Sequence, residues 1–288
     1  SRMVNSQEYW LSPEDGRMLD KHFVVVGSGF GGLAMAIRLK AHGASVTLVE
    51  RLPNLGGRAQ VFERNGFFHD AGPTVITAPF LFDELFDLFG KDRRDYCDFI
   101  PLSTWYDFIF EDGSKFSYTG DLDHTFEQIR QFEPSDVQGY KRLLDLSESI
   151  FRVGFEQLSD QPFTRFWTML KQVPALLKLQ SYRTVYGLVS KYISNEKLRK
   201  VFSIHPLLVG GNPFTTTSIY TLIHFLERKW GIHFARGGTG ALVKSLEKLM
   251  TEEGVTIETN FDVTRIEINP QTKKVTGLLS ADGREIFC

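Results

Sequence analysis

The chain has 288 residues, 42% of them hydrophobic, which is enough for two ordinary domains or one large one. Its net charge of −2, from 33 basic and 35 acidic residues, gives no reason to expect nucleic-acid binding. Two cysteines lie outside any CxxC or Cys/His pattern, so no metal site is expected, and their low number is typical of a reducing cytosol. No apolar run is long enough to predict a membrane-spanning helix, and no signal peptide is expected.

The first clear element after the polar residues 1–20, which are interpreted as a flexible extension, is a βαβ unit. Residues 23–26 predict a buried strand, residues 31–41 a helix with small side chains, and residues 45–49 a second strand. Parallel strands with a right-handed crossover are expected for such a unit. The later predicted elements are an antiparallel pair over 103–118, mostly helical residues over 121–200, a helix that starts after Gly240 and runs to about Glu253, strands at 256–259 and 263–269, and a hairpin turn at 281–283.

A glycine fingerprint lies between the first strand and the helix and predicts a dinucleotide site. Gly27 permits the tight turn, Gly29 lets the backbone approach a pyrophosphate, and Gly32 lets the helix pack close to the strand. The helix N-terminus offers free N–H groups to phosphate. Glu50 ends the second strand, where a carboxylate can accept hydrogen bonds from ribose hydroxyls. This fingerprint alone does not separate NAD from FAD.

The segment after Glu50 favours FAD. Leu55-Gly56-Gly57-Arg58 resembles the ExxxxxGGR extension of the FAD-binding amine-oxidase and desaturase superfamily, in which the arginine approaches the cofactor phosphates. Arginine offers fixed donors to phosphate, and paired glycines permit a close approach of the backbone. A surface turn with a solvated arginine is the alternative.

Longer segments resemble the bacterial-type phytoene desaturases. These are Asp70–Thr77, Leu207–Phe214 with Ser218–Tyr220, and Arg236–Leu242, and the similarity runs from about residue 23 to the end. The resemblance implies an α/β fold, in which a Rossmann-like FAD-binding domain is interrupted by an α+β substrate and membrane-associated domain. The expected boundaries are 21–78 and 236–288 for the FAD-binding domain and 79–235 for the inserted domain.

The resemblance also implies the chemistry and the residues of the site. A long apolar polyene such as phytoene would lose a hydride to the flavin and a proton from the neighbouring carbon. Family members run well beyond this length, so the 288-residue chain is expected to lack desaturase activity and to bind FAD weakly. The residues expected to contact FAD are Gly27, Gly29, Phe30, Gly31, Gly32, Glu50, Arg51, Gly56, Gly57, Arg58, Gly72, Pro73, Thr74 and Val263.

Several residues have two interpretations each, and no catalytic side chain is assigned. His205 and His224 are proton-transfer candidates or hydrogen-bonded core or surface histidines. Asp70 either touches the cofactor region or caps a turn. Thr239 is a candidate cap of the next helix, and the preceding Gly237-Gly238 pair either lies near the flavin or forms an ordinary turn. Val263 occupies a strand where related flavoenzymes recognise adenine through the backbone, or it is an ordinary core valine.

Residues 161–195 carry five basic residues and no acidic one, interleaved with aromatic and aliphatic residues at helical spacing. This pattern favours docking on an anionic membrane surface, and a core-facing helix pair with a solvated basic face is the alternative. The expected location is therefore cytoplasmic and peripheral to the membrane, and the oligomeric state is left open. The basic residues are Arg165, Lys171, Lys178, Arg183 and Lys191, and Val185 and Val189 belong to the expected apolar face.

Two competing functions follow from the same fold. Another flavoenzyme, such as an amine oxidase or a protoporphyrinogen oxidase, shares residues 27–58 but not the 209–214 segment. A Rab GDP-dissociation inhibitor would bind protein and prenyl chains without flavin catalysis, and the intact glycine fingerprint argues against it.

Overall fold

The computed structural model describes residues 21–157 and 179–288. The chain forms two compact units. Among the described residues, unit 1 comprises residues 21–74, 79–100 and 234–288, and unit 2 comprises residues 75–78, 101–157 and 179–233. The expected inserted domain began at residue 79, whereas residues 79–100 belong to unit 1.

The strands are β1 His22–Val26, β2 Ser45–Val49, β3 Val61–Arg64, β4 Phe67–Asp70, β5 Phe99–Pro101, β6 Thr104–Ile109, β7 Lys115–Thr119, β8 His233–Ala235, β9 Thr256–Glu258, β10 Val263–Ile268, β11 Val275–Ser280 and β12 Glu285–Phe287. The α-helices are α1 Phe30–Ala41, α2 Phe80–Asp87, α3 Leu122–Phe132, α4 Asp136–Phe151, α5 Val185–Tyr192, α6 Glu196–Phe202, α7 Leu222–Trp230 and α8 Thr239–Glu252. Shorter 3₁₀-helices span Gly57–Ala59, Arg93–Asp95, His205–Val209 and Ser218–Thr221, and a π-helical turn spans Arg152–Gln157.

The parallel sheet of unit 1 has the strand order β1-β2-β9, with His22 opposite Ser45 and Val26 opposite Val49. The βαβ unit expected from the sequence is therefore confirmed. Helix α1 packs on this sheet because Leu33, Ala36 and Ile37 are fully buried along one side. An antiparallel sheet, β10-β11-β12, contains the hairpin expected around residues 281–283.

Helix α2 explains why residues 79–100 belong to unit 1. Leu85 and Phe86 are buried in the same hydrophobic core as helix α1 and strand β2, so this segment adds to the dinucleotide-binding core. The buried Arg93 pairs with Asp83, with 2.6 Å between Nε and Oδ1, and lies 3.7 Å from the centre of the Phe99 ring. The assignment of α2 to unit 1 depends on this packing, which the spacing of its residues alone does not indicate.

Unit 2 is built around aromatic side chains. The β6–β7 hairpin, which corresponds to the antiparallel pair expected over 103–118, packs with helices α3, α4, α5 and α6. These helices begin in the described part of the range expected to be mostly helical, 121–200. Phe116, Tyr118, Tyr140 and Phe202 are almost completely buried at its centre, and the rings of Tyr140 and Phe202 stack with centroids 4.3 Å apart. Burial of these large rings removes much apolar surface from water and so stabilises unit 2.

The apolar face expected for membrane docking is only partly available. Val185 and Val189 are fully buried in the core of unit 2, so these two residues were wrongly assigned to a lipid-facing surface. Tyr182 is 66% exposed, and Lys191 is exposed. Residues 158–178, which include Arg165, Lys171 and Lys178, lie outside the described residues. In residues 21–157 and 179–288, no helix is both long and apolar enough to cross a bilayer.

Candidate functional site

The glycine turn between β1 and α1 has the backbone geometry that the fingerprint predicts. Gly27 has φ +92°, a region that disfavours side chains, and its N–H donates to the Val49 carbonyl at 2.8 Å. A Cβ atom on Gly32 would lie 1.9 Å from the Gly27 carbonyl oxygen, so only glycine permits this contact of helix and turn. The structural roles predicted for Gly27 and Gly32 therefore agree with the observed geometry.

The Gly56-Gly57-Arg58 turn packs directly on the first glycine turn. A Cβ atom on Gly57 would lie 2.9 Å from the Cα of Gly29, and Gly57 has φ +57°. The Gly56 N–H donates to the Ser28 carbonyl at 3.0 Å. A Cβ atom on Gly72 would lie 2.0 Å from the Arg58 carbonyl oxygen. These close backbone contacts bring three motifs that are separated in sequence into one site.

Gly29 and Gly31 differ from these glycines because a Cβ atom on either would have no described atom within 4 Å. Gly29 is the N-cap residue of α1, whose first turn contains no acidic side chain. The first-turn N–H groups of a helix have no acceptor within the helix, and they favour a negatively charged ligand. The open space beside Gly29 therefore fits a pyrophosphate at the helix N-terminus, as FAD requires.

The Glu50 carboxylate lies next to this turn and is 7% exposed. Its Oε2 accepts hydrogen bonds from the Ser28 N–H at 2.9 Å and the Ser28 hydroxyl at 2.5 Å, and its Oε1 accepts from the Leu52 N–H at 2.9 Å. Burial raises the Glu50 pKa, but the hydrogen bonds from Ser28 and Leu52 outweigh burial and leave the pKa below its ordinary value. The carboxylate is thus held ionised, and its remaining lone pairs can accept hydrogen bonds from ribose hydroxyls.

The other expected cofactor residues surround this turn in unit 1. Arg51 and Arg58 are exposed, and the Arg58 side chain makes no hydrogen bond or ion pair with a described residue. Gly72, Pro73 and Thr74 are also exposed, whereas Phe30 is half-buried with its ring 5.4 Å from that of Phe82. Val263 pairs with Ser280 and packs beside the buried Val49, Phe261 and Leu278, so its side chain has a core role and only its backbone remains a candidate for adenine recognition.

Asp70 lies at the N-terminus of helix α8 in unit 1. Its Oδ2 accepts a hydrogen bond from the Thr239 N–H at 3.4 Å, and a Cβ atom on Gly238 would lie 2.9 Å from the same oxygen. The N-cap position belongs to Gly238, and the Thr239 hydroxyl donates to the Pro73 carbonyl instead. The capping role expected for Thr239 is therefore wrong, and the Asp70 carboxylate performs it from a distant part of the chain.

Unit 2 contains a second polar cluster, the buried network, made of Tyr106, Tyr118, Tyr140, His205, His224, Glu227 and Arg228. The Glu227 carboxylate accepts from His205 Nε2 at 2.9 Å and from the Tyr106 hydroxyl at 3.1 Å. Glu227 is fully buried, as are both histidines. The partner of His205 was not predicted from the sequence. The available signal was the spacing of His224 and Glu227, which are three residues apart and therefore share a face of helix α7.

His224 links the histidine pair to the tyrosines. Its ring lies 4.1 Å from the His205 ring, Nε2 donates to the Phe202 carbonyl at 2.9 Å, and Nδ1 contacts the Tyr118 hydroxyl at 3.4 Å. Burial, and then the nearby His205 ring, lower the pKa of His224 well below its ordinary value. His224 is therefore neutral at physiological pH. The tyrosines and the Arg228 guanidinium complete the network, with Arg228 donating to the Tyr140 hydroxyl at 3.1 Å.

The described residues contain no cluster of His, Cys, Asp and Glu that could hold a metal ion. A family model, "Flavin containing amine oxidoreductase", matches residues 30–288. The chain belongs to this family. The expected superfamily and its flavin cofactor, FAD, are thereby confirmed, as is the α/β fold class.

The chain is also similar to individual members of the family. It is 48% identical to the phytoene desaturase (lycopene-forming) of Pantoea ananas, over 93% of this chain and 54% of that protein. The chain therefore spans about half the length of the curated relatives it matches. This finding confirms the resemblance to the bacterial-type phytoene desaturases.

Solved structures show the fold alone, because their sequence identities are low. The PF1083 protein of Pyrococcus furiosus has a TM-score of 0.60 at 18% identity, covering 93% of this chain and 57% of that one. The Rab GDI of Plasmodium falciparum has a TM-score of 0.53 at 13% identity, covering 93% and 64%. Fold similarity therefore does not separate the desaturase from the non-catalytic alternative.

Proposed function

We propose that the full-length protein is an FAD-dependent desaturase that removes two hydrogens from a long apolar polyene, such as phytoene. The observation that carries this proposal is the 48% identity to a lycopene-forming phytoene desaturase across nearly the whole chain. The geometry of unit 1 supports it, because open space at the N-terminus of α1 and an ionised Glu50 fit a dinucleotide. A hydrocarbon offers no polar handle, so its binding rests on apolar burial.

The residues of unit 1 divide the binding of FAD among them. The first-turn amides of α1, beside Gly29 and Gly31, bind the pyrophosphate, and Glu50 accepts the ribose hydroxyls. Arg51 and Arg58 supply exposed donors for phosphate oxygens, and Gly72 lets the 72–74 segment pass close to Arg58. When bound, FAD would accept the hydride that leaves the substrate carbon.

Substitution of Gly29 tests the cofactor part of the proposal. Because no described atom lies within 4 Å of a Cβ at this position, Gly29→Val should fold but should lose FAD by filling the space assigned to the pyrophosphate. Met35→Val is the matched control, since it places a valine on the exposed side of the same helix. Flavin absorbance of the purified full-length protein and far-UV circular dichroism measure binding and folding separately. Wild-type flavin content in Gly29→Val would contradict the assignment of this turn.

Incubation of the full-length protein with phytoene and FAD tests the reaction. Products with additional conjugated double bonds are expected, and they are detected by their visible absorbance. Turnover of amines or of protoporphyrinogen, without turnover of phytoene, would favour the other flavoenzymes. A protein that binds prenyl chains but no flavin would favour the non-catalytic alternative.

We also propose that residues 161–195 dock the protein on an anionic membrane. The local charge of +5 supports this proposal, since each basic residue near such a surface contributes about 1 kcal/mol. Among the described residues of this segment, the exposed Tyr182 and Lys191 are suited to this contact. Arg183 is less suitable for substitution, because its Nε atom is buried.

Liposome co-sedimentation tests the membrane proposal. Replacing Lys171, Lys178 and Lys191 with Glu should weaken binding to anionic liposomes and leave FAD content unchanged, and salt should weaken the wild-type interaction. The matched control reverses three exposed lysines elsewhere: Lys141, Lys273 and Lys274. Equal sedimentation of the wild type and the 171/178/191 variant would show that the basic residues form an ordinary solvated surface.

A further inference from the structure

We infer that Ser28 is a positioning residue of the FAD site, which holds the Glu50 carboxylate and the Gly56-Gly57 turn in place together. This inference rests on the proposed function, because it concerns how the site for FAD is assembled. Ser28 occupies a variable position of the glycine fingerprint, and nothing in the motif itself requires a hydroxyl there. Its side chain is nevertheless fully buried and hydrogen-bonded on both sides.

Two contacts join Ser28 to Glu50. The Ser28 hydroxyl donates to Glu50 Oε2 at 2.5 Å, and the Ser28 N–H donates to the same oxygen at 2.9 Å. Both bonds are made to an ionised acceptor, so they are stronger than neutral hydrogen bonds. They fix one carboxylate oxygen on the protein side, and the Leu52 N–H fixes the other at 2.9 Å. The carboxylate is thereby oriented before any ligand arrives.

The same hydroxyl also accepts a hydrogen bond from the Gly56 N–H at 3.2 Å. Ser28 thus uses its one donor toward Glu50 and a lone pair toward the second glycine turn. Three motifs that are far apart in sequence, the fingerprint, the acidic residue and the Gly-Gly-Arg turn, meet at this single side chain. An alanine at position 28 would keep the backbone contacts but would lose both contacts of the hydroxyl.

A double-mutant cycle on FAD affinity tests this role in the full-length protein. Ser28→Ala should raise the Kd for FAD about tenfold at pH 7, the effect expected for losing a hydrogen bond to a charged group. In a Glu50→Ala background the same substitution should change the Kd by clearly less than in the wild type, because the charged acceptor is gone and only the contact with the Gly56 N–H is lost. Ser28→Cys keeps a side chain of similar size with a weaker donor, and it should give an intermediate Kd.

The pH dependence of FAD binding supplies a readout that simple packing would not change. Removing the Ser28 hydroxyl removes a hydrogen bond that lowers the Glu50 pKa, so Glu50 is protonated at a higher pH in Ser28→Ala. As the pH is lowered, the affinity for FAD should therefore begin to fall at a higher pH in Ser28→Ala than in the wild type. Arg51, the charged neighbour that also lowers the Glu50 pKa, is present in both proteins, so its effect cancels in the comparison.

The outcomes separate the two proposals. If the wild-type protein binds no FAD, the proposed function fails, and this inference fails with it. If the wild type binds FAD and Ser28→Ala has the same Kd and pH profile, only the role of Ser28 is overturned. An equal effect of Ser28→Ala in both Glu50 backgrounds would also overturn it, since the contribution of Ser28 to FAD binding would then not depend on the Glu50 carboxylate.

Discussion

Acid should destabilise unit 2 through His224, and a His224→Gln variant should lose this effect. The imidazole is fully buried, with Nε2 donating to the Phe202 carbonyl at 2.9 Å. The nearest titratable and charged groups are His205, Tyr118 and Arg228, and none of them supplies a negative charge that would compensate a proton on His224. Glu227 is hydrogen-bonded to His205 and Tyr106 instead.

Acid lowers the stability of unit 2 because the pKa of His224 is lower in the folded protein than in the unfolded chain. The pKa of His224 is about 6.5 in the unfolded chain and well below that in the folded protein, so the unfolded chain binds the extra proton first. The effect is almost absent above pH 7.5, and it grows as the pH falls below 6.5 toward the folded pKa. Over this range stability falls by up to about 1.4 kcal/mol per pH unit, which amounts to about 2 kcal/mol between pH 7.5 and 5.0.

Urea unfolding at several pH values between 7.5 and 5.0 measures how far the free energy of unfolding falls with acid. Tryptophan fluorescence is a suitable probe, because Trp105 and Trp230 both lie in unit 2. His224→Gln should be less stable than the wild type by about 1–3 kcal/mol at pH 7.5, because it disturbs a buried hydrogen-bonded group. That difference should shrink by about 2 kcal/mol at pH 5.0. Carboxylates with lowered pKa values, such as Asp92 at about 2, affect both proteins equally.

Tyr118→Phe is the matched control, since it removes the hydroxyl that contacts His224 Nδ1 and keeps the imidazole. Its stability difference from the wild type should stay constant across the same pH range. The reasoning would be refuted if the His224→Gln difference were also constant from pH 7.5 to 5.0. That result would mean that the folded protein accepts the proton on His224 as readily as the unfolded chain does.

Two further predictions concern unit 1. Gly32→Ala should lower the free energy of unfolding by about 2 kcal/mol or more, because its Cβ would lie 1.9 Å from the Gly27 carbonyl oxygen. Gly31→Ala should leave the free energy of unfolding unchanged or raise it by up to about 1 kcal/mol, because no described atom lies within 4 Å of a Cβ at that position. The midpoint of thermal unfolding should therefore fall in Gly32→Ala and stay unchanged or rise in Gly31→Ala, and an equal fall in both would contradict the packing argument. Asp70→Ala should lower the free energy of unfolding by about 0.5–1 kcal/mol, measured by urea unfolding, because it removes the carboxylate at the N-terminus of α8. Asp70→Asn should recover part of this loss. An unchanged unfolding midpoint in Asp70→Ala would rule out a capping role.

The parts of unit 1 that the sequence predicted well are those with local causes. The turn between β1 and α1 was predictable because backbone sterics at Gly27 and Gly32 depend on residues close in sequence. The β3–β4 hairpin was missed although a signal existed: Asn65-Gly66 is a favoured two-residue hairpin turn, and both residues have positive φ. The charged and aromatic residues around it obscured the alternation that a strand normally shows.

The buried network of unit 2 was not predictable in the same way. Glu227 contacts Tyr106, which lies more than a hundred residues earlier in the chain, so the pairing depends on the folded hairpin and helix together. A histidine in an apolar stretch does not reveal whether it will find a partner, because burial and partnership are decided by distant residues. The helical spacing of His224 and Glu227 showed that they share a face, but not which groups face them.

The glycines of the candidate FAD site fall into two physical classes that the sequence motif does not separate. Gly32, Gly57 and Gly72 are glycines because another part of the backbone occupies the space where a Cβ would be. Gly29 and Gly31 have no described atom near that space, so the protein itself does not require glycine there. Substitutions in the first class should damage folding and thereby FAD binding, whereas substitutions in the second should damage FAD binding alone. Loss of flavin from a correctly folded Gly29 variant therefore tests the ligand directly, and loss of flavin from a Gly32 variant does not.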